Sequence, residues 1–151
     1  MTPLQKGDAA PHFAAADQDG TLRSLADYAG KKLVVFFYPK ANTPGCTAEA
    51  CDIRDNFERF TSQNYAILGV SADSQLAQAK FKTKFEFQYP LLADEDKSVI
   101  KAFGVWGPKK FMGKEYDGIH RTTFIIDENG IIENVITDVK TKVHAAQILG
   151  N

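Results

Sequence analysis

Only two cysteines occur in this chain of 151 residues, and both fall in one stretch, FYPKANTPGCTAEAC, residues 37–51. Cys46 and Cys51 stand five positions apart. A domain of this size does not need a disulfide to fold, so two closely spaced thiols point to transient redox chemistry or to a metal. Cys46 comes directly after Pro44 and Gly45, which break the chain, and so it opens a helix. The free N–H groups and the positive dipole end of a first helical turn favour an anion. Ionisation alone contributes little: an ordinary cysteine is about 3% thiolate at pH 7, so full ionisation gains at most about thirtyfold, or about 2 kcal/mol. Nucleophilicity also declines with basicity, so fast chemistry needs groups that stabilise the transition state.

Thr43 and Arg121 are the candidates for that task. Thr43 lies three residues before Cys46, where a hydroxyl both accepts and donates. Arg121 opens RTTFIID, from which a central strand aims a permanent cation at the end of its neighbour. The plainer alternatives are a threonine that orders the turn and a solvated charge at a strand end. Cys51 has its own constraint. Residues five apart in a wound helix have Cα atoms roughly 8–9 Å apart, and a disulfide needs less than about 7 Å. If both thiols are redox active, pairing them must unwind at least the first turn, and oxidation becomes a conformational switch. Otherwise Cys51 is a small hydrophobe beside Ala50.

The elements that must position these groups alternate along the chain. KLVVFFYP is an apolar run expected to be a strand buried on both faces. From Thr47 onward Ala50, Ile53, Phe57 and Phe60 recur at helical spacing until SQN at 62–64. YAILGVSAD is a second buried strand, which completes a βαβ unit. A helix in SQLAQAKFKTKF, a short strand in YPLLAD and a helix in DKSVIKAFG follow. GVWGPKKFMGKEYDGIH, residues 104–120, carries four glycines and a proline and reads as a long loop or exposed extended excursion. TTFIIDENGIIENVIT is a hairpin turning at Asn129 and Gly130, and TKVHAAQILG closes as a helix. Before all this, DQDG marks a small N-terminal hairpin, followed by a short helical SLADYAG. The expected class is α/β, a thioredoxin-like fold with a central mixed β-sheet flanked by helices and an N-terminal β-hairpin extension, as one domain over residues 1–151.

Charge sets further limits. With 18 basic against 19 acidic residues the net charge is -1, which offers no strong attraction to nucleic acid or an acidic membrane. The amino terminus lacks the basic start and apolar run of a secretory signal, and no stretch approaches a membrane span, so a cytoplasmic location is the expectation. The basic groups at 82–84 and 109–110 read as solvated faces, with a small basic patch that docks an acidic reductant as the alternative.

PKANTPGC, Pro39 to Cys46, resembles the Pro-x-x-x-Thr-x-x-Cys motif of the peroxiredoxins, and Glu49 extends the match. The second cysteine, with FGVWG, KKFMGKEYDGIHRTTFIID and LLADEDK, is similar to the bacterioferritin comigratory protein or peroxiredoxin Q subgroup over almost the whole chain. The resemblance implies a thioredoxin fold and a thiol peroxidase that reduces hydrogen peroxide and organic hydroperoxides. It makes Cys46 the peroxidatic and Cys51 the resolving cysteine, joined in an intramolecular disulfide. It gives Thr43 and Arg121 the task of holding the thiolate and binding the peroxide oxygens. Pro39 would shield the pocket, and Glu49 would be a hydrogen-bond partner for Arg121. It implies a reductant of thioredoxin or glutaredoxin type, no cofactor or metal, and a monomer, since resolution needs no second subunit.

Two rival readings remain. A disulfide oxidoreductase or redox sensor would relay oxidation to a partner protein, but the Cys-x-x-Cys spacing is absent and Thr43 and Arg121 would lack a task. A metal module would need His12, His120 and His144, which are scattered without ligand spacing. His120, beside Arg121, reads as a hydrogen-bonded structural histidine, with tuning of the pocket as the alternative. Trp106 and Phe111 either border a substrate surface or pack against the sheet.

Overall fold

The computed structural model describes residues 4–150. Near its start β1 (Ala14–Ala16) and β2 (Leu22–Ser24) pair as the expected hairpin. Asp17 closes its turn by accepting from the backbone N–H groups of Asp19 and Thr21 at 2.8 and 3.1 Å. SLADYAG forms a single 3-10 turn over Leu25–Tyr28.

The next elements are β3 (Lys32–Phe37), α1 (Pro44–Asp55), α2 (Phe57–Ser62) and β4 (Tyr65–Ser71). They are followed by α3 (Gln75–Phe85), β5 (Leu91–Ala93) and α4 (Ser98–Ala102). The remainder comprises β6 (Trp106–Phe111), β7 (Lys114–Ile119), β8 (Thr122–Ile126), β9 (Ile132–Ile136) and α5 (His144–Leu149). Five strands make the central sheet in the order β5-β4-β3-β8-β9. β3, β4 and β5 run parallel, while β8 pairs antiparallel with both β3 and β9. This is the mixed sheet of a thioredoxin-like fold.

The apolar run in β3 behaves as its composition demands. Successive side chains point to opposite faces, so Leu33, Val35 and Phe37 join one buried cluster and Val34 and Phe36 another. The first cluster lies against α4 and Phe13, the second against α1, α2, α3 and α5. Gly69 in β4 is forced by this packing. A Cβ there would stand 2.8 Å from Leu91 Cδ2 and 2.9 Å from Phe36 Cζ.

Two segments differ from the sequence reading. The helix through residues 47–60 is two helices, because Asn56 donates its side-chain amide to Asp52 O at 2.8 Å and its backbone leaves helical geometry with ψ 14°. The excursion over residues 104–120 is a paired hairpin, β6 with β7, in register from Trp106↔Ile119 to Phe111↔Lys114. Its turn places Met112 and Gly113 at positive φ, 52° and 79°, as a two-residue hairpin turn requires.

Candidate active site

Cys46 is delivered by a loop fastened to buried polar groups. Where β3 ends, Tyr38 N donates to Val70 O at 3.0 Å, and Pro39 then leads the chain out of the sheet. Tyr38 Oη donates to Gln78 Oε1 at 2.6 Å, and Gln78 Nε2 donates to Ser71 Oγ and Leu92 O. Ser71 Oγ donates in turn to Asp73 Oδ2, which also accepts from Ala41 N at 2.8 Å. The loop from Pro39 to Thr43 thus hangs from a frame built by β4 and α3.

Thr43 is the residue before α1, extended at φ -97° and ψ 157°, and Pro44 begins the helix with a φ suited to it. The Thr43 hydroxyl makes no capping bond but donates to Lys40 O at 2.8 Å. It therefore leaves the first-turn N–H groups uncapped and keeps its own lone pairs as acceptors. Cys46 follows in that turn, 1% exposed and free.

Strand register brings Arg121 to it. Phe37 pairs with Thr122, so the residue before β8 stands beside the point where the Cys46 loop leaves β3. Arg121 Nη2 donates to Cys46 Sγ at 3.2 Å, and Nη1 donates to Glu49 Oε1 at 2.7 Å. A Cβ on Gly45 would lie 3.4 Å from Arg121 Nη2, so glycine leaves room for the guanidinium at the helix start. Glu49, three residues after Cys46, faces the same way on α1 and is wholly buried. Burial pushes its carboxyl up to about 7 against the opposing pull of Arg121. Its Oε2 makes no hydrogen bond and lies 3.4 Å from His144 Nε2. Burial holds the His144 imidazole below its ordinary value.

Of the residues expected to form the site, Cys46, Arg121 and Glu49 are in direct contact, and Thr43 sits at the same helix start. Pro39 lines a cleft of about 280 Å³ with Trp106, Lys109 and Tyr116 from the β6–β7 hairpin. Cys51 lies further along α1, half-buried and free, its thiol pushed up by burial. Both thiols are on one wound helix, α1, and both are free. His120 donates through Nε2 to Pro108 O at 2.9 Å, a structural contact. Trp106 packs against the core beneath the Lys97 ammonium, whereas Phe111 at the hairpin tip is 65% exposed.

Sequence reasoning misses His144 and Lys109. Lys109, which reads as part of a solvated pair, donates to Ile119 O at 2.9 Å and is lowered first by burial and then by Arg121. His144 has only one signal, its place beside Ala145 and Ile148 on the apolar side of the closing helix.

Comparison with known proteins gives a consistent result. Residues 6–135 match the AhpC/TSA family. The chain is 48% identical over 149 residues to peroxiredoxin Bcp of Escherichia coli K12, covering 99% of this chain and 96% of that protein. Among solved structures, a cysteine variant of Xylella fastidiosa PrxQ superposes with a TM-score of 0.93 at 32% identity, covering 99% of this chain and 96% of that one. The Xanthomonas campestris bacterioferritin comigratory protein superposes with a TM-score of 0.87 at 34% identity, covering 95% and 96%.

Proposed function

Because the chain belongs to the AhpC/TSA family, as a thiol-dependent peroxidase of the Bcp and PrxQ type, we propose that Cys46 is its peroxidatic thiol and Cys51 its resolving thiol. The observation that carries this reading is the Arg121 hydrogen bond to Cys46 Sγ at 3.2 Å, at a helix start that Thr43 leaves uncapped. Hydrogen peroxide and organic hydroperoxides are the substrates. Alkyl peroxide reduction activity is ascribed to the Xanthomonas campestris relative, in line with this breadth.

The Cys46 thiolate attacks the terminal oxygen of the hydroperoxide along the O–O axis. The S–O bond forms as the O–O bond breaks, and the remaining oxygen takes a proton and departs as water or alcohol. Arg121 and the uncapped N–H groups bind the oxygens as charge develops, and Thr43, its hydrogen committed to Lys40, accepts from the peroxide O–H. Pro39 walls off bulk water, and Glu49 fixes the guanidinium plane through Nη1. The first turns of α1 then unwind, Cys51 sulfur attacks the sulfenic sulfur, and the disulfide forms as the oxygen leaves in water. A dithiol protein of thioredoxin or glutaredoxin type returns both thiols, and the protein thiols carry the electrons without a cofactor. A single domain contains every group required, so the working form is a monomer, and two thiols in a domain that needs no disulfide to fold suit the reducing cytoplasm. No helix of the described residues is long and apolar enough to cross a membrane.

The test is rapid mixing of the reduced protein with stoichiometric hydrogen peroxide, followed by thiol counting and intact mass without reductant. The expected product is a monomer with one internal disulfide, formed far faster than free cysteine reacts. A rate no faster than free cysteine, with both thiols still titratable, refutes the reading in favour of a redox relay or binding role.

A further inference from the structure

Behind the Arg121 guanidinium lies a second pair of groups. Glu49, Thr123 and His144 are each 0% exposed, so water does not serve their polar atoms. The hydrogen bonds decide where hydrogens can sit. Gln147 donates through Nε2 to Asp138 O at 2.8 Å and accepts at Oε1 from Lys140 N at 2.9 Å, which fixes the amide orientation. The atom facing His144 Nδ1 at 2.8 Å is therefore the Gln147 oxygen, and Nδ1 must carry hydrogen. At the other ring nitrogen, Nε2, stand Thr123 Oγ1 at 2.7 Å and Glu49 Oε2 at 3.4 Å. The threonine hydroxyl rotates and serves Nε2 as donor or acceptor. On Glu49, Oε1 accepts from Arg121 Nη1, so a carboxyl proton belongs on Oε2, the atom that points at His144.

We propose that Glu49 and His144 carry one proton as a pair, on Oε2 of the one or Nε2 of the other, and that His144 is thereby a positioning residue that keeps Glu49 from neutralising Arg121. Either placement of that proton leaves the pair with no net charge. The guanidinium then offers its full charge to Cys46. An ionised Glu49 with no compensating proton beside it would compete with the thiolate for the same cation. Burial displaces Glu49 upward and His144 downward, so each resists carrying a charge by itself. The other titratable groups around the pair are Asp52 on α1, which accepts from Ala145 N at 2.8 Å and favours a charged imidazole, Tyr89, which donates to Ala50 O, and Cys46. Lys109 acts through Arg121 from β6.

This inference rests on the peroxidatic role proposed for Cys46. The experiment follows the His144 ring by 15N NMR and the Glu49 carboxyl by 13C NMR across the neutral pH range in the reduced protein. It is paired with the rate of Cys46 oxidation by hydrogen peroxide at neutral and alkaline pH. Both nuclei should titrate together, with one common midpoint above the ordinary carboxyl range. Glu49→Gln, whose amide donates permanently toward Nε2, should remove that step from His144. The ratio of alkaline to neutral rate should be about tenfold higher in Glu49→Gln than in the unaltered protein. Separate midpoints for the two nuclei, or equal rate ratios in both proteins, overturn the shared proton. A rate in the unaltered protein no faster than free cysteine instead overturns the role of Cys46, so the two failures are distinct.

Discussion

Replacing Arg121 by alanine tests the chemistry most directly. It removes the 3.2 Å donor to Cys46 and the 2.7 Å donor to Glu49 together. For an ordinary thiol, ionisation accounts for at most about thirtyfold of a rate difference at neutral pH. A hydrogen bond to a charged group contributes about 1.5–3 kcal/mol, or about 10- to 150-fold in rate if made to the developing charge in the transition state. Removal of one donor of this kind from an oxyanion site costs about 10²- to 10³-fold. The rate of Cys46 oxidation by hydrogen peroxide, measured by quenched-flow thiol counting, should therefore fall by about 10²- to 10³-fold at neutral pH. Raising the pH until the thiol is ionised in both proteins recovers only the ionisation part, leaving a deficit of about 10-fold or more. Arg121→Lys keeps the charge but not the planar fork, so it should regain ionisation and little else. A neutral-pH deficit below thirtyfold that vanishes at alkaline pH refutes transition-state stabilisation by Arg121. Circular dichroism checks that the fold is retained.

Cys46→Ser should abolish peroxide reduction, whereas Cys51→Ser should consume one equivalent of peroxide and stop at the sulfenic acid, seen by intact mass; equal multiple turnover by both variants would contradict the assignment. Gly69→Ala should destabilise the protein by about 1–3 kcal/mol in urea denaturation, because its Cβ meets Leu91 and Phe36 inside 3.0 Å in the middle of the sheet. The raised Glu49 carboxyl also makes stability depend on pH. Unfolded, the group ionises near 4.5; folded, it keeps its proton to about 7. Its contribution is complete below the unfolded value and is lost as pH rises through that window, by roughly 3 kcal/mol at most. His144, held low by burial, acts in the opposite sense below its ordinary value of 6.5. Denaturation of Glu49→Gln across this range should lack the decline, and an unchanged decline would place its origin elsewhere.

Features set by local chemistry were legible in the sequence. A run such as KLVVFF has no polar face to offer and had to be buried on both sides. DENG had to turn, since Asp127 accepts from Asn129 and Ile131 N–H groups and Gly130 takes φ 82°. The motif from Pro39 to Cys51 showed which helix start carries the thiols. What depends on register and tertiary contact was harder to read. The β6–β7 turn uses Met112 at positive φ, a residue that carries no turn signal, so pairing across it was hidden among glycines. The break at Asn56 is a side-chain bond to a carbonyl one turn back, which apolar spacing does not register. Arg121 meets Glu49 only because β8 pairs with β3 at one offset, and His144 reaches Glu49 from the last helix, 95 residues later in the chain.

The sheet divides the buried residues into two clusters, and among the described residues α1 contributes to only one of them. The other cluster, with Phe13, Val99, Phe103 and the opposite side of β3, contains nothing that the proposed meeting of Cys46 and Cys51 would disturb. Turnover is thereby insulated. On the proposed cycle, one half of the interior loosens and re-forms while the other stays intact as ballast. In hydrogen exchange, the disulfide form should lose amide protection in α1 and keep it in β4 and β8, the signature of a molecule that works by melting one compartment and not the whole.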